Sequence, residues 1–285
     1  MHFIQECFIL LKKNKTSAFG LFDFMRDNSV VEKKRRPYIR IDDIGASSKQ
    51  YEQHGKKWFR FSNGFPYFYV PFANALFFKR IWPCKAWGPY QELTASEWEK
   101  FLSVFDQYGI KPIVAITATW VSENGNSIPF PQMFPEEAAV LKKALKEGLV
   151  TIANHGLTHC VVGKHLPLRW ESNRQFHREF LSSLPLQRHR EHLLKSQEIL
   201  ETYFESPITI LVPPGNLWSK HTADAMLQTN LRTVLCGRNM IEQESSLPDG
   251  IKFIHDKEDY ICFHDRELKL YGIRWLEKLI QKNYA

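Results

Sequence analysis

Apolar residues along this chain fall into two kinds of run that take turns. Short, nearly continuous runs read as buried strands: Tyr38-Ile39-Arg40-Ile41, Ile113 to Ala118, Leu149 to Ala153, Ile208 to Val212, Arg232 to Leu235 and Tyr260 to Phe263. Between them the spacing becomes helical. Thr94-Ala95-Ser96-Glu97 has the form of a capping box, and Trp98, Phe101, Leu102 and Phe105 share a face before Gly109 ends the helix. Pro135 opens a second helix and Gly148 closes it, with Ala139, Leu141, Ala144 and Leu145 between them. Residues 187–205 place Leu193, Leu194, Ile199 and Leu200 inward, Ser219 opens a helix reaching Asn230, and 269–282 make a last one. Strands alternating with helices predict parallel β-strands joined by crossover helices, as a distorted β/α barrel or an open doubly wound sheet.

One stretch obeys neither period. Residues 57–90 hold thirteen aromatic rings, from Trp58 and Phe59 to Trp87 and Tyr90, among prolines and glycines. It reads as an irregular aromatic insertion at about 50–92. It is either a satellite core under a long loop or a surface that faces substrate or membrane. Residues 1–36 form an N-terminal extension with a short amphipathic segment, and 37–285 form the main domain.

Composition narrows the classes. The chain has 285 residues, 44% hydrophobic and 24% charged, which suits one large α/β domain. Its net charge of +7 favours anionic partners without demanding them. The run Lys33-Lys34-Arg35-Arg36 is short, and no nucleic-acid motif is expected. The five cysteines are widely spaced with no Cys-x-x-Cys, which points to a reducing compartment. Phe3 to Leu11 is broken by Gln5 and Glu6 and followed by Lys12-Lys13, which does not read as a signal peptide. No apolar run is long enough to span a bilayer. A cytoplasmic location, with peripheral contact at the membrane's inner face, is the expectation.

Four segments at strand ends carry candidate chemistry, where α/β folds place their active-site loops. Asp42-Asp43 offers two adjacent acids that can divide metal binding from proton transfer, or simply cap a turn. In Asn154-His155-Gly156-Leu157-Thr158-His159 the histidines are four apart, so on a helical turn they would share a face and hold a metal, or form a satisfied polar pair. Val212-Pro213-Pro214-Gly215-Asn216 is a rigid strand exit that could aim the Gly215 N–H at an oxyanion. Phe263-His264-Asp265 ends an apolar strand with an imidazole that could protonate a leaving amine or cap the strand.

Taken in order, these segments resemble the successive motifs of the polysaccharide deacetylases, carbohydrate esterase family four. The resemblance implies a distorted (β/α) barrel of the polysaccharide deacetylase type and a metal-dependent hydrolase that removes an N-acetyl or N-formyl group from an amino sugar in a glycan or lipid-linked glycan. It assigns Asp42 as catalytic base and Asp43, His155 and His159 as ligands of one divalent ion, zinc first, with cobalt, nickel or iron as alternatives. It makes Pro214, Gly215 and Asn216 the oxyanion and substrate loop, and His264 the general acid. Two departures stand out. The family carries an Arg, which orients the base, where this chain has Val212. The family's Asp-x-x-Asp-Trp segment has no match near Cys236-Gly237-Arg238, which leaves Asp265 or another acid to orient His264. These departures motivate the alternative of a non-catalytic glycan- or lipid-binding protein on the same fold. The three ligands alone would also suit a metal oxygenase. The oligomeric state is open.

Overall fold

Seven short strands line up in one sheet, most of them carrying a run apolar on both faces, as parallel strands covered on both sides require. In the computed structural model, which describes residues 37–50, 57–62, 64–73, 75, 77, 78, 81–84, 92–163, 178–236, 247–254 and 260–284, the strands are β1 (Tyr38–Ile44), β2 (Trp58–Phe59), β3 (Phe68–Tyr69), β4 (Ile113–Ile116), β5 (Thr119–Val121), β6 (Ser127–Pro129), β7 (Thr151–Asn154), β8 (Ile210–Leu211), β9 (Thr233–Leu235), β10 (Lys252–Ile254) and β11 (Tyr260–His264). The helices are α1 (Ala95–Gln107), α2 (Phe130–Met133), α3 (Pro135–Lys146), α4 (Leu186–Phe204), α5 (Lys220–Met226) and α6 (Asp265–Tyr284). The N-terminal extension, Cys7, the Lys33–Arg36 run and Gly237-Arg238 lie outside the described residues.

Seven strands form a curled, all-parallel sheet in the order β10-β9-β8-β7-β4-β1-β11. This is the distorted β/α barrel expected. Strand alternation divides the apolar residues between two faces. Ile39, Ile41, Val114, Ile116, Ile152, Leu211 and Val234 join the large core with the helices. Ile113, Ala115, Ala153, Val212, Leu235 and Tyr260 form a smaller cluster on the opposite, inner face.

The helix starts follow local chemistry. Thr94 caps α1 reciprocally: its hydroxyl accepts from the Glu97 N–H at 3.3 Å, and its own N–H donates to the Glu97 carboxylate at 2.9 Å. α6 begins four residues before the expected 269 and is bent at Gly272, whose φ of 69° interrupts the helix. The run Ile113–Ala118 is a strand only to Ile116. Beyond it the chain turns into the β5–β6 hairpin, which sequence periodicity did not reveal. β1 does not stop before Asp42-Asp43 but continues through them to Ile44. Among the described residues no helix is long and apolar enough to cross a membrane.

Leu141 is fully buried on α3, a helix that packs on α1, whereas Lys143 on the same helix extends into solvent. Leu141→Ala should therefore lower unfolding free energy by about 2–5 kcal/mol, and Lys143→Ala should change it by less than about 0.5 kcal/mol, both read from urea unfolding curves.

Candidate metal centre

Everything at the centre starts from a break in β1. Its pairing with β4 runs regularly at Arg40 and Ile41, then shifts by the time Ile44 meets Ile116. The extra residue is a bulge, and Asp43 sits in it with φ of 67°. The left-handed conformation is unfavourable for most residues but comparatively accessible to Asp and Asn. The bulge gives the two acids separate directions. Asp42 stays on the inner face with Arg40, two residues back, and pairs in register with His264 on β11. Asp43 turns to the histidines.

Asp43 Oδ1 lies 3.2 Å from His155 Nε2 and 3.1 Å from His159 Nε2, and the three ligand atoms all fall within 4.8 Å of one another. All three residues are buried. Burial disfavours the Asp43 carboxylate, but His264 and His159 outweigh it and hold Asp43 well below the usual carboxylate range. His155 Nδ1 is 2.6 Å from the Val212 carbonyl. A carbonyl can only accept, so Nδ1 carries a proton, and whenever the ring holds just that one Nε2 presents a lone pair. In the neutral ring that lone pair faces a carboxylate oxygen that also only accepts. A cation between them resolves the conflict. Two imidazole nitrogens and one carboxylate oxygen, each imidazole with its other nitrogen engaged, are a donor set that fits zinc and its divalent neighbours.

The histidines do not meet as neighbours on a helical turn. Residues 155–160 are irregular, with Gly156 at φ 81° and His159 at φ 55°. What shapes this loop is Glu179, which is fully buried and was not singled out in the sequence. Its carboxylate accepts from the N–H groups of Leu157 (2.9 Å), Thr158 (3.2 Å) and His159 (2.9 Å). Burial would raise its pKa, but His192 at 2.5 Å and these N–H groups depress it, so Glu179 stays ionised. Asn154 adds a bond from the Gly156 N–H at 2.9 Å and anchors on α4 through Ser196 and Gln197. A Cβ on Gly156 would lie 2.4 Å from Glu179 Oε2 and 2.8 Å from Pro214 Cγ, so only glycine fits. Ser48 Oγ, 2.7 Å from His159 Nδ1, orients the second imidazole.

Val212 leaves Asp42 without the expected arginine, and Arg40 supplies one. Its Nη2 donates to Asp42 Oδ2 at 2.7 Å and to Asn216 Oδ1 at 3.0 Å, and its Nη1 donates to the Leu235 carbonyl at 2.9 Å. The guanidinium lies 4.7 Å over the Tyr260 ring. Cys262 Sγ donates to Asp42 Oδ2 at 3.3 Å. Asp42 Oδ1 is buried and makes no hydrogen bond among the described residues. The side chain of Asn216 thus supports Arg40, while Gly215 beside it is half-buried with φ of 62°.

His264 is half-exposed at the mouth of the centre, with Nε2 3.9 Å from Asp43 Oδ2. Asp265 does not orient it. That carboxylate is bound to the fully buried Lys49 at 2.6 Å, and Lys49 also pairs with Glu92 at 2.8 Å. Burial opposes the ammonium, yet Asp265 and Glu92 hold Lys49 charged. Glu267 takes the orienting place, accepting from the His264 N–H at 2.9 Å and lying 3.2 Å from its Nδ1. Partial loss of solvent works against the imidazolium, but Asp43 and Glu267 prevail and push His264 up to about 9.

The sequence model of the polysaccharide deacetylases matches residues 88–234. Among solved structures, the chain is similar to the deacetylase domain of BpsB from Bordetella bronchiseptica, with 17% identity, 60% of this chain and 70% of that one covered, and a TM-score of 0.39. It is similar to a de-N-acetylase from Aggregatibacter actinomycetemcomitans, with 13% identity, 66% and 71% covered, and a TM-score of 0.39. It is also similar to BA3943, a CE4 family pseudoenzyme from Bacillus anthracis, with 12% identity, 70% and 59% covered, and a TM-score of 0.38. The chain thus spans 59% of the length of the Bacillus protein. No curated protein matches the chain.

Removing Arg40 while keeping Asp42 leaves a buried carboxylate unpaired. Arg40→Met should cost about 3–5 kcal/mol of stability, and adding Asp42→Asn should recover a large part of it. Strictly additive losses in urea unfolding would show that the pair is not what holds this region.

Proposed function

We propose that this chain, which belongs to the polysaccharide deacetylase family, is a metal-dependent hydrolase that removes an acetyl (or formyl) group from the nitrogen of an amino sugar. The observation that carries the reading is the convergence of Asp43, His155 and His159 on one point, with a second carboxylate beside it and an imidazole at its mouth.

Amide hydrolysis needs a nucleophile made from water, charge stabilisation on the carbonyl oxygen and a proton for the departing nitrogen. Asp43, His155 and His159 would hold a divalent ion, which when bound would supply Lewis acidity toward the carbonyl and acidify water. Asp42 is the base in this reading. Arg40 and Cys262 hold one of its oxygens, so the other is left to take the water proton. The Gly215 N–H is the donor offered to the oxyanion, an interaction that is worth about 3–4 kcal/mol where it has been removed from other enzymes. His264 delivers the proton to nitrogen, with Glu267 fixing its Nδ1 side so that Nε2 turns to the centre. A C–O bond forms, the C–N bond breaks, and a carboxylate and a free amine leave.

Arg40 favours this catalytic reading over a purely glycan- or lipid-binding role. The Arg missing at position 212 was the main reason to doubt the base, and Arg40 grips the same carboxylate from its own strand. The acceptor sugar, free, polymeric or lipid-linked, is best found by screening N-acetylated hexosamine substrates for released acetate.

The purified protein should contain one divalent ion per chain, lose turnover to a chelator and regain it with zinc. Asp42→Asn should keep the metal and lose about 10²-fold or more of kcat, whereas His155→Ala should lose the metal itself. Full activity in the Asn variant, or metal retained at unchanged affinity without His155, would sink the assignment.

A further inference from the structure

The aromatic insertion takes no part in the centre just described, yet among the described residues it holds most of the exposed rings. Of the sixteen large hydrophobic residues exposed among the described residues, ten lie between Trp58 and Trp82. Trp82 is 74% exposed, Phe72 68% and Trp58 59%. Scattered exposed rings need no explanation, but a contiguous patch does.

The short hairpin of β2 and β3 shows why this is not a satellite core. Trp58 pairs with Tyr69, and Phe59 with Phe68. Successive residues of a strand face opposite sides, so a hairpin seated on a core would be apolar on one side and polar on the other. This one carries rings on both sides, with Trp58, Tyr69 and Phe68 all exposed. The rings pack on each other instead: Trp58 on Tyr69 at 4.8 Å, Phe61 on Phe68 at 5.5 Å and Phe61 on Trp82 at 5.8 Å.

Charge identifies what covers the patch. Residues 50–92 contain six Lys or Arg against two acids, Glu52 and Glu92 near its ends, so this segment carries four of the chain's seven net positive charges. Arg60 stands over the Tyr67 ring at 5.3 Å, inside the patch. A second copy of this chain would bring the same positive charge and be repelled. Rings can also stack on sugar faces, but a neutral glycan offers nothing to the cations that accompany these rings in sequence. Rings that prefer the boundary between water and hydrocarbon, accompanied in sequence by an excess of cations, suit an anionic lipid surface.

We infer that the segment around Trp58, Phe61, Phe72 and Trp82 docks this protein on an anionic phospholipid bilayer. The rings enter the headgroup boundary, and Arg60 with its basic neighbours in sequence attracts the lipid phosphates. Docking is independent of whether the metal centre turns over.

The test uses the full chain and vesicles of phosphatidylcholine alone or mixed equally with phosphatidylglycerol. The protein should float with the mixed vesicles at low salt, bind the neutral ones far less, and dissociate as salt rises. Brominated lipid should quench its tryptophan fluorescence. The Phe72→Ser/Trp82→Ser variant and, separately, Arg60→Glu should each weaken partition by roughly tenfold or more, with metal content and melting temperature unchanged. Equal binding by the variants, or no binding to anionic vesicles at low salt, would overturn the inference. So would preferential binding of single-stranded polyuridylate or of a soluble glycan to the same rings, or a dimer that the variants convert to monomer.

Discussion

A guanidinium buried on an apolar sheet face must find partners, and Arg40 finds them across the whole inner surface. It reaches Asp42 on its own strand, the Leu235 carbonyl on β9, Asn216 in the Pro-rich loop and the Tyr260 ring on β11. Moving β1 by one residue would turn Arg40 into the helix-side core and bring Ile39 or Ile41 to the inner face. The charge therefore fixes the register of β1. The register places the bulge, and the bulge aims Asp43. The position of the metal ligands is in this sense a consequence of where one cation can be neutralised.

The strain at the centre is held from outside. Asp43 and His159 both occupy the left-handed region, at a cost of order 1–3 kcal/mol for such residues. Glu179 and Asn154 offset it by accepting from the backbone of the loop between His155 and His159. The loop's amides have no strand or helix partner to satisfy them, so a buried carboxylate takes that place. Replacing a helix by such a loop lets the imidazoles approach to 4.7 Å between ring centres while pointing at one oxygen.

Much of this was legible in the sequence. The strand and helix alternation, the Thr94–Glu97 cap and the order of the four motifs all rest on local patterns, which local physics preserves. Arg40 and Glu267 were legible too, had periodicity been applied to polar residues: Arg40 is two from Asp42 on a strand, and Glu267 is three from His264 at a helix start. Asp265, nearer in sequence, was the wrong acid because Lys49 claims it. Glu179 left no such trace. It lies twenty residues beyond His159, and only the folded chain brings it under the loop. The His155–His159 spacing pointed to two side chains that the fold brings together, but through a loop and not a helical turn. The aromatic segment resisted reading because rings that pack on one another, and not on a sheet or helix face, impose no period.

Lys49 and Glu92 bound the aromatic segment in sequence, and they form an ion pair at its root, where Glu92 also accepts from the Gly45 N–H at 3.1 Å. That pair joins the two ends of the segment. The entropy of closing a loop grows only logarithmically with its length once its ends are tied. Such a stem lets the intervening residues be exchanged like an interchangeable tool head. Different lengths or chemistries could be grafted between the same two side chains while the strands beneath keep their alignment.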